Sequence, residues 1–425
     1  MQPFKLVKLH SSLSHHVVLA CAFSFTCMSL AAAESVNSEP AERSAEAEFE
    51  QPPVVDVRAL VAPEMLKSSN YALADKAEFN DYYCRFHLNS ERFGAWDPSS
   101  LDQLKVRAHE MDVLVAVSDA PGGNGFGKGA VDKFKDTGHA IKDTVITPVK
   151  TFQAIGKGVS ETTMNAFDFV RRKDRHQPKD AIFIGEQKRK LAAQWGVDAY
   201  TTNPAMQELL NHKARMREVG SALISVSMSI GASVLTPASI ALTGVEFREN
   251  VEAKIEAYSA IHLYWYNDRI LKKMDVESSD RQDFLTNEFL TPRQKTEIVA
   301  DLLPLSHLSD KSGSLKLLSE KHPGEGVWQV QAADMLAKFN STTKPIKTVK
   351  ACGVALVART IEEMNVVVFP CDILYWSKDV AQAIKDAMKE TPGPGICLLT
   401  GQITPLARQE MERLGYTVHE HFLNN

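Results

Sequence analysis

Apolar positions along this chain follow more than one period, and the changes of period divide it. In Tyr83-Cys84-Arg85-Phe86-His87-Leu88 apolar and polar side chains alternate. That pattern predicts a strand burying Cys84, Phe86 and Leu88 and exposing Arg85 and His87. From Leu104 the spacing lengthens, and Leu104, Ala108, Met111 and Val115 share a helical face behind a Ser100/Gln103 capping box. Helical spacing then dominates to residue 340, with breaks near 310–313 and 323–326. Asn203-Pro204 and Thr291-Pro292 read as helix starts, because proline tolerates the first helical position, and Gln294 completes a capping box with Thr291. After residue 347 strand and helix patterns interleave. Segments 349–358, 365–369, 373–376, 395–400 and 416–422 read as strands, and those around Ile384 and 405–414 as helices. The expected fold class is α+β. It comprises a small N-terminal strand and helix unit at 54–120, a mainly helical region at 121–340 and a compact α/β module at 346–425.

Residues 1–33 have the zones of a secretory signal. Lys5 and Lys8 form a basic start, 17–30 is an uncharged, mostly apolar run, and Ala31-Ala32-Ala33 supplies small residues at the cleavage point. A lipoprotein cut at Cys21 is the rival, but too little apolar sequence precedes it. Residues 34–53 are rich in Glu, Ala, Ser and Pro and read as a disordered acidic linker. The expected location is outside the cytosol, in the periplasm, with association to a membrane as a variant of it.

Charge sharpens two further regions. The chain carries a formal net charge of −5, and removal of the leader with its two lysines leaves −7. That balance argues against general nucleic-acid binding. Segment 128–175 reverses it, with ten Lys or Arg against six Asp or Glu. Its amphipathic pattern places Lys142, Lys150, Phe152 and Lys157 as candidate contacts for anionic headgroups or for an envelope partner. Segment 219–245 contains no charge, and Ser221, Ser225, Ser229 and Ser233 recur at every fourth position. On a helix these serines form a narrow strip that lets another backbone approach. The run reads as a buried helical hairpin or as a membrane-inserting one, interrupted at Pro237.

Candidate chemistry is sparse. Cys84, Cys352, Cys371 and Cys397 remain after the leader. An oxidising compartment permits disulfides among them, with no pairing favoured, and small buried thiols are the alternative. The glycine-dense stretch from Gly122 to Gly129 has the spacing of a phosphate loop but lacks the Ser or Thr after Lys128, so it reads as a hinge. Cys84 and His87 would point to opposite faces of a strand and make no dyad. His419 and His421 would share one side of the last strand, but no third metal ligand is evident. No nucleophile elbow, zinc-binding helix or Cys-x-x-Cys pair occurs, so no catalytic, cofactor or metal residue is assigned.

Gly196-Val197-Asp198-Ala199-Tyr200-Thr201-Thr202-Asn203-Pro204 and Thr400-Gly401-Gln402-Ile403-Thr404-Pro405-Leu406-Ala407-Arg408 resemble segments of exported proteins of Gram-negative bacteria. The resemblance covers short stretches. It implies an envelope location and brings no activity, cofactor or catalytic residue. The expected function is therefore non-enzymatic binding, at a membrane surface or an envelope partner. The alternatives are a periplasmic hydrolase, with a pocket between the N-terminal unit and the helical region, and membrane insertion by the 219–245 hairpin. Oligomeric state is left open.

Overall fold

A computed structural model of the protein describes residues 49–66, 68–119, 179–218, 247–305, 307–320, 326–390 and 392–424. Chain order begins with β1 (Val55–Asp56), a one-turn α1 (Pro63–Leu66), β2 (Ala72–Leu73), β3 (Lys76–Asn80), β4 (Tyr83–Arg85), β5 (Leu88–Ser90) and β6 (Gly94–Trp96). These short strands make two antiparallel sheets, ordered β1-β3-β4 and β2-β5-β6. Cys84, Phe86 and Leu88 are fully buried, as alternation predicts. The strand itself is not continuous. It breaks after Arg85, where the Phe86 amide donates to the Pro98 carbonyl, and β5 resumes in the other sheet. Strands β3 and β4 are joined by Asp81 and Tyr82, both with left-handed φ, at 48° and 71°. A two-residue hairpin loop demands that geometry.

Helix α2 (Leu101–Asp119) follows, with Leu104 and Met111 fully buried. Ser100 accepts from the Gln103 amide at 3.1 Å, but the Gln103 side chain turns to Ser99, so the expected box is only half formed. Next come α3 (Lys179–Trp195), α4 (Pro204–Glu218), α5 (Phe247–Ala257), α6 (Ala260–Lys273), α7 (Ser278–Thr286), α8 (Pro292–Leu302), α9 (Lys311–Leu317) and α10 (Val327–Thr342). Helix α3 stops at Gly196, whose φ of 66° suits a residue without a Cβ. Asn203 caps α4 through its Oδ1, which accepts from the Ala205 amide at 3.0 Å. Thr291 and Gln294 close a full capping box on α8. The break expected near 310–313 is the start of α9, where Asp310 accepts from the Gly313 amide.

The C-terminal part contains β7 (Ile346–Cys352), β8 (Ala355–Thr360), β9 (Asn365–Phe369), β10 (Ile373–Leu374), α11 (Lys378–Glu390), β11 (Gly395–Leu399), β12 (Gln402–Ile403), α12 (Pro405–Arg413) and β13 (Tyr416–His419). The segment read as one strand at 349–358 is the β7–β8 hairpin, turned at Gly353 with φ 58°. Five strands form a sheet ordered β13-β11-β9-β8-β7, in which β9, β11 and β13 are parallel and β7 and β8 antiparallel. Its faces alternate residue by residue. Val366 and Val368 join the core that contains α10, and Val367 and Phe369 the core that contains α11 and α12. Burial on both sides explains why β9 reads as an uninterrupted apolar run.

The mixed α+β class is thus that of the structure. The described residues from Phe49 onward pack as one compact unit. No helix among the described residues is long and apolar enough to cross a membrane. The leader expected at 1–33, residues 34–48 of the expected acidic linker, the glycine-dense stretch 122–129, Lys142, Lys150, Phe152, Lys157, Ser221, Ser225, Ser229 and Ser233 lie outside the described residues.

Candidate functional site

Helical spacing puts polar residues of several helices toward one cleft. On α8, Arg293, Glu297 and Asp301 recur every fourth position, and on α10 Val327, Gln331 and Asp334 do the same to within one residue. Asp102 and Arg107 come from the first turns of α2, Asp198, Thr201 and Thr202 from the turn before α4, and Glu252 from α5. Together they line a cavity of about 210 Å³ whose remaining walls include Val106, Val251, Val330 and Leu423. Six carboxylates line it against two guanidiniums.

Two arginine-centred clusters organise the charges. Arg107 donates to Glu110 at 2.7 Å, to Thr201 at 3.0 Å and to Thr202. Glu110 is 1% exposed and also accepts from Thr201 and from Asn203, the latter at 2.8 Å. Opposite, Arg293 donates to Glu297 at 2.9 Å and to Glu252. Burial works against the Arg293 charge, but Glu297, Asp198 and Glu252 outweigh it and hold the guanidinium protonated. Burial pushes Glu297 up to about 7 although Arg293 pulls it down, and burial also raises Asp198. A second polar chain crosses the mouth of α2. Gln331 donates to Asp102 at 2.8 Å and accepts from the Tyr83 hydroxyl at 3.1 Å, and Lys105 holds the other Asp102 oxygen.

Asp372 ties the C-terminal module to this wall. Its Oδ2 accepts from the Cys84 and Leu101 amides, each at 2.9 Å, so a carboxylate from beyond β9 satisfies the first turn of α2. Burial pushes Asp372 up to about 7 against the pull of those amides.

The structure distributes the sequence candidates differently. Cys84, Cys352, Cys371 and Cys397 are all buried free thiols. Burial raises the thiol pKa of Cys84, Cys371 and Cys397 above its ordinary value. His419 ends β13 at the sheet edge, and His421 sits beyond it at φ 50°, so the two do not share a strand face. No group of three potential metal ligands exists among the described residues. The Gly196–Pro204 phrase supplies part of the cleft wall, through Asp198, Thr201 and Thr202. The Thr400–Arg408 phrase serves packing. A Cβ on Gly401 would lie 2.0 Å from the Asp372 carbonyl oxygen, and Thr404 caps α12 by accepting from the Ala407 amide. Sequence reasoning missed Arg293, Glu297, Asp301 and Asp334. For Arg293, Glu297 and Asp301 the signal was charge at four-residue spacing on α8, and Asp334, the one acid on α10, carried none.

Fold and cleft together define an α+β protein with a carboxylate-rich, partly apolar cavity at the meeting of its N-terminal unit and its helices. No known protein family, curated protein or solved structure matches the chain.

Proposed function

We propose that this is an exported envelope protein that binds a small amphipathic cation in the cleft between α2, α8 and α10. The observation carrying this reading is the cavity lining: six carboxylates and two guanidiniums, gathered from distant segments, beside a wall of valine and leucine. An ammonium or guanidinium group would meet the carboxylates, and an alkyl body would meet Val106, Val251 and Val330. A cavity of about 210 Å³ suits a small molecule and not a folded partner.

Thermal-shift and calorimetric titration of the purified protein with alkylamines, diamines and amino-acid amides, against carboxylate and phosphate analogues, tests it. Cations should raise the unfolding temperature, and Asp334→Asn and Glu297→Gln should weaken that effect about tenfold, roughly one charge-assisted contact. Equal stabilisation by anions, or none by any cation, refutes the reading. Because Glu297 holds its proton to about pH 7, a bound cation should displace it, and affinity should rise from pH 6 to pH 8. Envelope fractionation tests the location: the native chain should begin at Glu34 and appear in the periplasmic or membrane fraction.

A hydrolase is the second reading, and Glu297 favours it. A carboxyl protonated near neutrality, set among other carboxylates, is what general acid catalysis of glycoside or amide cleavage requires. Here Glu297→Gln should abolish turnover while substrate binding persists. If no member of a glycoside, ester and amide panel is cleaved, this alternative falls.

A further inference from the structure

Helix α6 buries Leu263, Asn267 and Leu271, so its opposite side is turned outward. That outward side is polar and basic except at Trp265, a large apolar ring where a solvated face would carry a polar side chain. Tyr258 and Trp265 are 38% and 46% exposed, large values for aromatic side chains, and His262 lies exposed between them. The rings are mutually braced. His262 stands edge-on to Trp265 at 5.8 Å between centroids and 6.2 Å from Tyr258, and Ser259 holds its Nδ1 at 3.0 Å. Tyr258 also meets Tyr266, over whose ring Lys254 sits at 5.4 Å. One and two turns further along the same stripe come exposed Arg269, Lys272 and Lys273. The neighbouring carboxylate, Asp268, is turned aside to Arg281 at 2.8 Å. Tyr258 in the bend before α6, then His262 and Trp265 and unshielded bases on the exposed side of α6, match the headgroup layer of an anionic bilayer. A small polar ligand would leave the tryptophan in water, and the absence of carboxylates on the stripe fits a negatively charged surface.

We propose that the stripe Tyr258, His262, Trp265, Arg269, Lys272 and Lys273 docks the protein peripherally on an anionic lipid surface. The contact is independent of the cleft and needs no spanning helix. It also differs from the membrane contacts expected at 142–157 and 219–245.

The test is flotation of the purified protein with vesicles of phosphatidylglycerol and phosphatidylethanolamine, against phosphatidylcholine alone, at low and high salt. The wild type should float with the anionic vesicles only, and less as salt rises. Arg269→Glu, Lys272→Glu and Lys273→Glu combined should lower partitioning by at least about tenfold, and Trp265→Ser should lower it separately. All four side chains are exposed, so the unfolding temperature of each variant should stay at the wild-type value. Brominated lipid should quench a component of the fluorescence that Trp265→Phe removes, a readout on folded protein that needs no charge variant. Absence of flotation overturns the proposal. So does flotation that the triple variant retains in full, which would place the contact elsewhere, as in the basic 128–175 segment.

Discussion

Glu110 shows what burial does to a single charge. At 1% exposure it has no water to lean on, and Arg107, Thr201 and Asn203 replace that hydration. Removing the carboxylate takes this buried charge from the Arg107 guanidinium, which is only 12% exposed and keeps the Thr201 and Thr202 hydroxyls as acceptors. Glu110→Ala should therefore cost about 3–5 kcal/mol in urea unfolding, the range for breaking one side of a buried pair. Lys295 makes the complementary point through pH. Burial depresses its pKa from 10.5 to about 7, and its Nζ donates to the Leu285 carbonyl at 2.8 Å. Between those two values the unfolded chain holds a proton that the folded one lacks, so stability rises with pH across this window and is lost as pH falls through 7. Measured against Lys295→Met, the wild type should gain stability from pH 7 to pH 10. A parallel pH dependence of the two proteins would mean the lysine stays charged inside.

Helix α8 carries the most cleft residues for its length, and its start is the best-defined cap in the chain. Thr291 accepts from the Gln294 amide at 3.2 Å, and Gln294 returns a bond from the Thr291 amide at 2.9 Å. Thr291→Ala should lower stability by about 1 kcal/mol, and Gln294→Ala by less. Because the first turn also places Arg293, the threonine variant should weaken cation binding as well as stability. A capping box could be read from the sequence since it depends on residues three apart. The β4–β5 break could not. Alternation predicted the buried residues at 84, 86 and 88 correctly, but the partner that takes the Phe86 amide, the Pro98 carbonyl, is set by the path of the chain twelve residues later.

At the scale of the whole molecule the N-terminal unit, the helices and the C-terminal sheet share cores. Tyr83 belongs to the core of α8 and α10, and Ile373 to that of α2 and α4. The hairpin tip is pinned the same way. The Tyr82 carbonyl accepts from the Asp372 and Ile373 amides, and the ring packs 5.0 Å from Tyr375. Such sharing argues for one cooperative transition, so calorimetric and van't Hoff unfolding enthalpies should agree. Two separable transitions would mean that the shared contacts are too weak to couple the parts. The four buried thiols should resist a thiol reagent in the folded protein and react once it is unfolded.

Local physics was enough to determine the class of fold, the burial of Leu104, Ala108 and Met111 on α2, the existence of β9, and the helix starts at Pro204, Pro292 and Pro405, because spacing and capping act over three to seven residues. The same locality makes the charge reversal at 128–175 a property of the sequence alone. Only tertiary structure decided where Arg293, Glu297, Asp334 and Asp102 meet, and which carboxylate closes the first turn of α2. Residues far apart in the chain acquire shifted proton affinities only when packing removes their water and brings their charges together. No spacing rule along the chain encodes that event.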